Sequence, residues 1–491
     1  MKRRTFLKTG AAATMVTLLG TVRATKATVR ELPEASAGKL PRWRGFNLLE
    51  KFRAEQNGPF VESDFEWLAT WGFDFVRLPM DYRCWAKTPE AEFSEQTMAE
   101  IDQAVGWGKQ YGVHVNLCFH RAPGYCVNKH PQEASDLWSD PVIQGQFARH
   151  WGVFSKRYIG IPGRQLSFDL VNEPPDIPGA QYAAAMKPAI DAIQSTDPHR
   201  VIIADGLAWG GKPAAELIPF HIAQSTRGYS PLLVSHYKAS WMDGADKFPV
   251  PVWPIPAELN SHLYGAKKPE FQGPITLQVN CPQATYFSIR VDHVSGMAEL
   301  VVKADGVELI RQMIKVSGSG GGPAGDCKYE YGANIPAGTR EIQIGVEQGD
   351  WLAFSSIGLN GAIINPTSRR WAKKQGVFIV DNTGVHTLNA PPYCSKETLW
   401  DEQVKPWQDL AAKGVGVHVG EWGAFNHTPH DVVMSWMRDC LENWRKAGFG
   451  WALWNFRGPF GILDSGRKDV AYENFNGHQL DRQMLELLRA S

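Results

Sequence analysis

The sequence carries no net charge: 51 Lys and Arg stand against 51 Asp and Glu in 491 residues. It has no long basic run either. Nucleic-acid binding rests on neutralising phosphates, so a nucleic-acid partner is not expected. There is no C-x-x-C spacing among the seven cysteines, at 84, 118, 126, 281, 327, 394 and 440. An odd, scattered set argues against a metal site or a dense disulfide framework. No G-x-x-x-x-G-K pattern occurs, and the run SGSGGGPAG at 317–325 reads as a flexible hairpin tip rather than a phosphate cradle. Neither a metal nor a cofactor is expected. What the chain has in excess is tryptophan, 19 residues against 13 tyrosines. The indole face suits core packing and stacking on the C–H face of a sugar ring alike. With 43% hydrophobic and 21% charged residues, the chain is a foldable globular one.

The N-terminus has the layout of an export signal, a charged start and then the apolar stretch AAATMVTLLGTV at 11–22. That stretch is too short to span a bilayer, which takes about 20 apolar residues. No stable span is expected in the mature protein. Arg3-Arg4, followed by Thr5, Phe6, Leu7 and Lys8, resembles a twin-arginine signal. An ordinary secretory signal is the alternative. Residues 1–27 are therefore expected to be a signal peptide, and the protein periplasmic or secreted. Twin-arginine substrates fold before export in a reducing compartment, so most of the thiols are expected to be plain buried residues.

Beyond residue 41, short apolar runs alternate with helical patterns. The runs lie at 43–49, 73–80, 113–120, 166–174, 200–206, 231–237, 415–423 and 450–456. Such runs suit strands buried on both faces of a parallel sheet. Between 428 and 448, Val433, Trp436, Met437, Cys440, Leu441 and Trp444 form one stripe, with Thr428 as candidate N-cap and Gly448 as the C-terminal stop. Eight strand–helix units in series predict a (β/α)8 TIM barrel. An open doubly wound sheet would need a Gly-rich fingerprint after the first strand, and RGFNLLEKF has none.

The rhythm breaks from about 270 to 365, where six runs alternate apolar and polar residues with period two. Asp305-Gly306 reads as a tight hairpin turn between two of them. The segment is expected to be an all-β, sandwich-like domain inserted after the sixth strand. The expected division is signal 1–27, barrel 41–265, insert 270–365 and barrel 366–491.

Chemistry in such a barrel comes from the C-terminal ends of its strands. Those ends offer Arg77, His120, Asn172-Glu173, His236, Glu421 and Trp454. Two are glutamates, on strands four and seven, facing each other across the mouth. A carboxylate pair is the minimum set for cleaving a glycosidic bond, one protonating the leaving oxygen while the other attacks or activates water.

Five segments in order, VRLP at 76–79, HRAPG at 120–124, LVNEP at 170–174, VGEWG at 419–423 and LWNF at 453–456, resemble glycoside hydrolase family 5, the cellulase-like retaining β-glycosidases. The resemblance spans roughly 41–260 and 366–491. It implies Glu173 as acid/base and Glu421 as nucleophile. Asn172 would hydrogen-bond a substrate hydroxyl, and Arg77 would sit beneath the nucleophile. His120 and His236 would contact the sugar or the carboxylates, and Trp454 would be the floor for the ring being cleaved. The implied substrate is a β-linked glucan-type polysaccharide or oligosaccharide. Mannan-active or exo-acting enzymes are alternatives within the family, and a non-catalytic carbohydrate-binding protein is the alternative from another class. One departure stands out. The family places a tyrosine two residues after the strand-six histidine, whereas here Lys238 follows His236 at that spacing. Either Tyr237 turns in, or Lys238 or another group takes the place of the phenol beside Glu421.

Overall fold

The computed structural model describes residues 31–128, 131–256, 258–325, 327–367, 375–381, 384–386 and 394–491. The expected signal at 1–27 lies outside them. All seven residues of FVRLPMD (75–81) and all nine of HVNLCFHRA (114–122) are buried. A strand buried on both faces needs a second layer outside it, and helices supply that layer here. The barrel strands are β1 Arg44–Asn47, β2 Phe75–Asp81, β3 His114–Ala122 and β4 Leu166–Asp169. The circle continues with β5 Val201–Asp205, β6 Ala223–Gly228, β7 Val417–Trp422 and β8 Gly450–Leu453. Each pairs in parallel with the next, and β8 returns to β1 through Gly45↔Ala452, so the sheet closes as a (β/α)8 barrel.

The helices end where their sequences say. Glu95–Tyr111 starts at Ser94, whose hydroxyl accepts from the Thr97 N–H at 3.3 Å, and stops at Gly112 in the left-handed region. In His430–Ala447 the expected stripe is buried throughout, and Gly448 closes the helix at φ 79°. Thr428 is not its cap: Pro429 holds that position, and the Thr428 hydroxyl donates to the Val234 carbonyl at 2.7 Å.

Strand six corrects the sequence reading. It is AQSTRG at 223–228, not PLLVSHY at 231–237, which forms a single helical turn, Leu232–Ser235. Hydropathy missed the strand because its buried side chains are polar and paired. Gln224 exchanges two hydrogen bonds with the Ala214 backbone, at 2.9 and 2.7 Å. The Ser225 hydroxyl accepts from Arg227 at 3.1 Å, and Thr226 donates to the Gly210 carbonyl at 3.0 Å.

The insert leaves the chain after β6 and forms two packed sheets. One contains Thr285–Val294, Trp351–Leu359 and Glu330–Ile335; the other contains Met297–Ala304, Val307–Ser317, Glu341–Gly349 and Ile275–Gln278. The sheets also take in His262–Tyr264 on one side and Val377–Asp381 on the other. Asp305 and Gly306 both have positive φ, 46° and 80°, as the two-residue primed hairpin turn requires. Phe287, Ile289, Val291, Ile342, Ile344 and Val346 form part of a core separate from that of the barrel. Ile255 and Cys394 exchange backbone hydrogen bonds at 2.9 and 3.3 Å where the insert joins the barrel. Cys84, Cys118, Cys126, Cys281, Cys327 and Cys440 are free thiols.

Candidate active site

The loop after β4 carries Asn172 and Glu173 over the barrel mouth. Glu173 has φ 50°, a backbone conformation costly for a side chain with a Cβ and common at functional sites. Three contacts hold it. Its N–H donates to Asp205 Oδ2 at 2.8 Å, its carbonyl accepts from the Tyr125 hydroxyl at 2.5 Å, and its Oε1 accepts from Arg227 Nε at 3.0 Å. Asp205 ends β5, a position the sequence reading passed over.

Glu421 lies within β7, where a register shift falls between it and Val419. Its Oε1 accepts from Arg77 Nη1 at 2.6 Å and lies 3.4 Å from Arg227 Nη2. Its Oε2 accepts from the Tyr229 hydroxyl at 3.2 Å. Tyr229 is thus the tyrosine that the sequence reading missed. It follows Arg227 by two residues, so this chain has Arg-x-Tyr where the family has His-x-Tyr.

Lys238 is exposed, with its ammonium over the ring of Tyr237 at 5.1 Å. It is not the group beside Glu421. His236 is not on a strand. It packs edge-on against Tyr229, centroids 5.1 Å apart, and shares a 2.8 Å hydrogen bond with Ser235. It backs the tyrosine rather than contacting a carboxylate. The displaced strand explains both corrections, and an Arg-x-Tyr pair after a polar run was the available signal.

Arg77 stands where expected. Its Nε donates to Asp169 Oδ2 at 2.9 Å and its Nη2 to Asn172 Oδ1 at 3.0 Å. Asn172 Oδ1 also accepts from Arg227 at 2.8 Å, and Asn172 Nδ2 is buried without a partner among the described residues. A buried donor left unmet by protein groups is costly, and a water or a ligand can supply its acceptor. His120 Nε2 meets Asn128 Nδ2 at 3.1 Å, while its Nδ1 is likewise buried and unpaired. His120, Trp454 and Phe52 form one aromatic wall, with centroids 6.0 Å apart for His120–Trp454 and 4.2 Å for Phe52–His120. Phe52, on the loop after β1, was also missed. Phe52 and His120 of this wall line a cleft of about 690 Å³ together with Trp241. Trp209 stands on the β5 loop, 53% exposed, and its backbone N–H donates to the Pro174 carbonyl at 2.8 Å.

The electrostatics follow from burial and charge. Burial, and then the charge of Glu421, push the Glu173 carboxyl up to about 7 against the pull of Arg227. Burial, and then Asp205, push Asp169 up to about 7 as well. Burial, and then the neighbouring arginines, hold His120 well below the ordinary histidine value; burial lowers His236 to about 4. The Tyr229 phenol is pushed well above its usual range by burial and by Glu421, so it stays a hydrogen-bond donor.

Comparison with known proteins agrees with this geometry. The family model described as Cellulase (glycosyl hydrolase family 5) matches residues 36–231. Endoglucanase C of Acetivibrio thermocellus is 30% identical over 200 residues, 40% of this chain and 57% of that protein. Endoglucanase 3 of Fibrobacter succinogenes is 26% identical over 219 residues, 41% of this chain and 32% of that one. The chain spans about half or less of the length of these curated relatives. A crystal structure titled only as a glycoside hydrolase superposes with a TM-score of 0.61 at 28% identity, covering 91% of this chain and 99% of that one. Thermotoga maritima Cel5A, at 16% identity and a TM-score of 0.52, covers 91% and 96% and shares the fold. Barrel, paired glutamates and matched segment together make the chain similar to glycosyl hydrolase family 5 over residues 36–231.

Proposed function

We propose that the protein is an exported retaining glycoside hydrolase that cleaves β-linked glucan-type chains, in the manner of an endo-β-1,4-glucanase. The observation that carries this reading is the asymmetric pair at the mouth. Glu173 is protonated up to about pH 7 and Glu421 is ringed by Arg77, Arg227 and Tyr229. Two carboxyls in unlike surroundings divide into an acid and a nucleophile.

In the first step a Glu421 oxygen bonds to the anomeric carbon. The glycosidic C–O bond breaks, and the Glu173 proton passes to the leaving oxygen. In the second, Glu173 takes a proton from water, whose oxygen attacks the anomeric carbon and breaks the ester to Glu421. Two inversions retain the configuration. One guanidinium reaching both carboxyls favours the narrow spacing of about 5–5.5 Å that this chemistry uses. The unpaired Nδ2 of Asn172 and Nδ1 of His120 are donors for sugar hydroxyls, and Trp454 with Phe52 walls the ring. Trp209, next to the acid/base loop, offers a stacking face on the leaving-group side.

An NMR time course on an aryl β-cellobioside tests the reading. The expected first product is the β-anomer of cellobiose; the α-anomer rejects retention, and no turnover rejects the hydrolase. A panel of β-glucans and mannans then fixes the substrate. Export is tested by replacing Arg3-Arg4 with Lys-Lys, which should leave the precursor in the cytoplasm.

A further inference from the structure

Arg227 holds the place that the family gives to a histidine, and it is fully committed. Its Nη1 and Nη2 fork onto the two oxygens of Asp205. Nη1 also donates to Ser225 Oγ at 3.1 Å, and Nη2 to Asn172 Oδ1 at 2.8 Å. Only Nε remains, and it donates to Glu173 Oε1 at 3.0 Å. Asp205 and Arg227 are buried, whereas the Glu173 side chain is 16% exposed. The same Asp205 accepts from the Glu173 N–H.

We propose that Arg227, locked by Asp205, is a positioning residue that orients the acid/base and balances its charge when it is deprotonated. This rests on the reading of Glu173 as acid/base. A charge-assisted bond to Oε1 puts the transferable proton on the other oxygen, Oε2. In the first step the charge of Glu421 keeps that proton bound. Once Glu421 is esterified its charge is gone, and Asp205 is the anion that remains to oppose Arg227 at Glu173. The cation then favours the carboxylate that must accept a proton from water. A neutral histidine at this position would not supply that charge, so the exchange alters the pH behaviour of this chain.

The other charged groups around Glu173 are fixed by the barrel. Glu421 on β7 and Asp205 on β5 raise its pKa, and Arg227 on β6 lowers it. Behind them, Asp169 on β4 pairs with Arg77 on β2. Tyr125 and Tyr229 complete the shell as neutral phenols.

The test compares wild type with Arg227→Gln, Arg227→Lys and Arg227→His on 4-nitrophenyl and 2,4-dinitrophenyl β-cellobiosides. Removing a cation in contact with a carboxyl raises its pKa by about 1–3. In Arg227→Gln and Arg227→His the alkaline limb of kcat/KM should move up by one pH unit or more. On the dinitrophenyl substrate, which needs little acid, the same variants should show a burst followed by turnover at least tenfold slower. Arg227→Lys keeps the charge and should keep the limb while losing rate. An unmoved limb with a uniform loss in all three variants would leave Arg227 a structural ion pair and overturn the proposal. Carboxyl ¹³C NMR of glutamate-labelled protein, with Glu173→Gln to assign the signal, gives a readout independent of turnover. If wild type proves inactive, the hydrolase reading fails, and an unchanged Glu173 titration in Arg227→Lys beside a raised one in Arg227→Gln would still establish the charge balance.

Discussion

The Tyr229 hydroxyl donates to Glu421 Oε2 at 3.2 Å, from the residue just beyond the end of β6. That bond gives the Glu421 carboxylate a fixed direction. It must weaken as the carboxylate oxygen becomes an ester, so its loss affects both steps. A hydrogen bond to a charged group is worth about 1.5–3 kcal/mol. Tyr229→Phe is therefore expected to lower kcat/KM by about 10- to 150-fold. Lys238→Ala, at an exposed position, should stay within twofold of wild type. Steady-state kinetics on one aryl substrate decides it, and the reverse ranking would restore Lys238 to the site.

Leaving-group chemistry separates the two glutamates. With Glu421 as the proposed nucleophile, Glu421→Ala should be inactive on every substrate. Azide can occupy the vacated space and should restore turnover, giving an α-glycosyl azide. General acid catalysis contributes about 10²–10⁴-fold. Glu173→Ala should lose that much on poor leaving groups and little in the glycosylation of a dinitrophenyl substrate. Rates plotted against leaving-group pKa should be steep for Glu173→Ala; equal slopes in the two variants would mean the roles are misassigned.

The barrel was legible because seven of its eight strands are continuous apolar runs between amphipathic helices. The eighth was not, because AQSTRG buries polar groups that satisfy one another, and hydropathy cannot register a pairing. The apolar run after it, PLLVSHY, lines the rim as a helical turn and drew the assignment to itself. Glu173, Glu421, Asn172 and Arg77 were legible from short motifs at strand ends. Arg227, Asp205 and Tyr229 were not, since their roles arise from partners far away in the chain. Phe52 belongs with them: nothing in FNLLEKF says that its ring will meet His120.

Stability should peak near pH 6.5. His114, His150, His236 and His418 have folded pKa values lowered to about 3–4, and His120 lies low as well. Unfolded histidines bind protons below about 6.5. The folded state is therefore disfavoured progressively as pH falls from 6.5 toward those folded values. Glu50, Asp169 and Glu173 act in the opposite direction, each raised to about 7. Their stabilising contribution is full below about pH 4.5 and is lost as pH rises to 7. Between 4.5 and 6.5 the five histidines outweigh the three carboxyls; above 6.5 the histidine effect fades as the unfolded histidines lose their protons, and the carboxyls take over. Melting temperatures measured from pH 4.5 to 8 should rise to about 6.5 and then decline. A continued rise through pH 8 would show that these carboxyls are ionised in the folded protein.

The insert offers a test of modular folding. Its hydrophobic cluster is separate from that of the barrel, and the Ile255–Cys394 backbone pair ties the two passing chains together at the join. Phe287 is fully buried in that cluster. Truncating a buried Phe costs about 3–5 kcal/mol, a large part of the stability of a small domain. In Phe287→Ala the insert should melt in its own transition, at least 10 °C below that of the barrel, and proteolysis should begin inside it. Turnover of a small aryl glycoside should stay within twofold of wild type, since the catalytic network is formed entirely by barrel residues. If the insert also walls the substrate cleft, hydrolysis of a long glucan should fall at the temperature where the insert melts. A single melting transition, with aryl turnover lost along it, would show that barrel and insert fold as one cooperative unit.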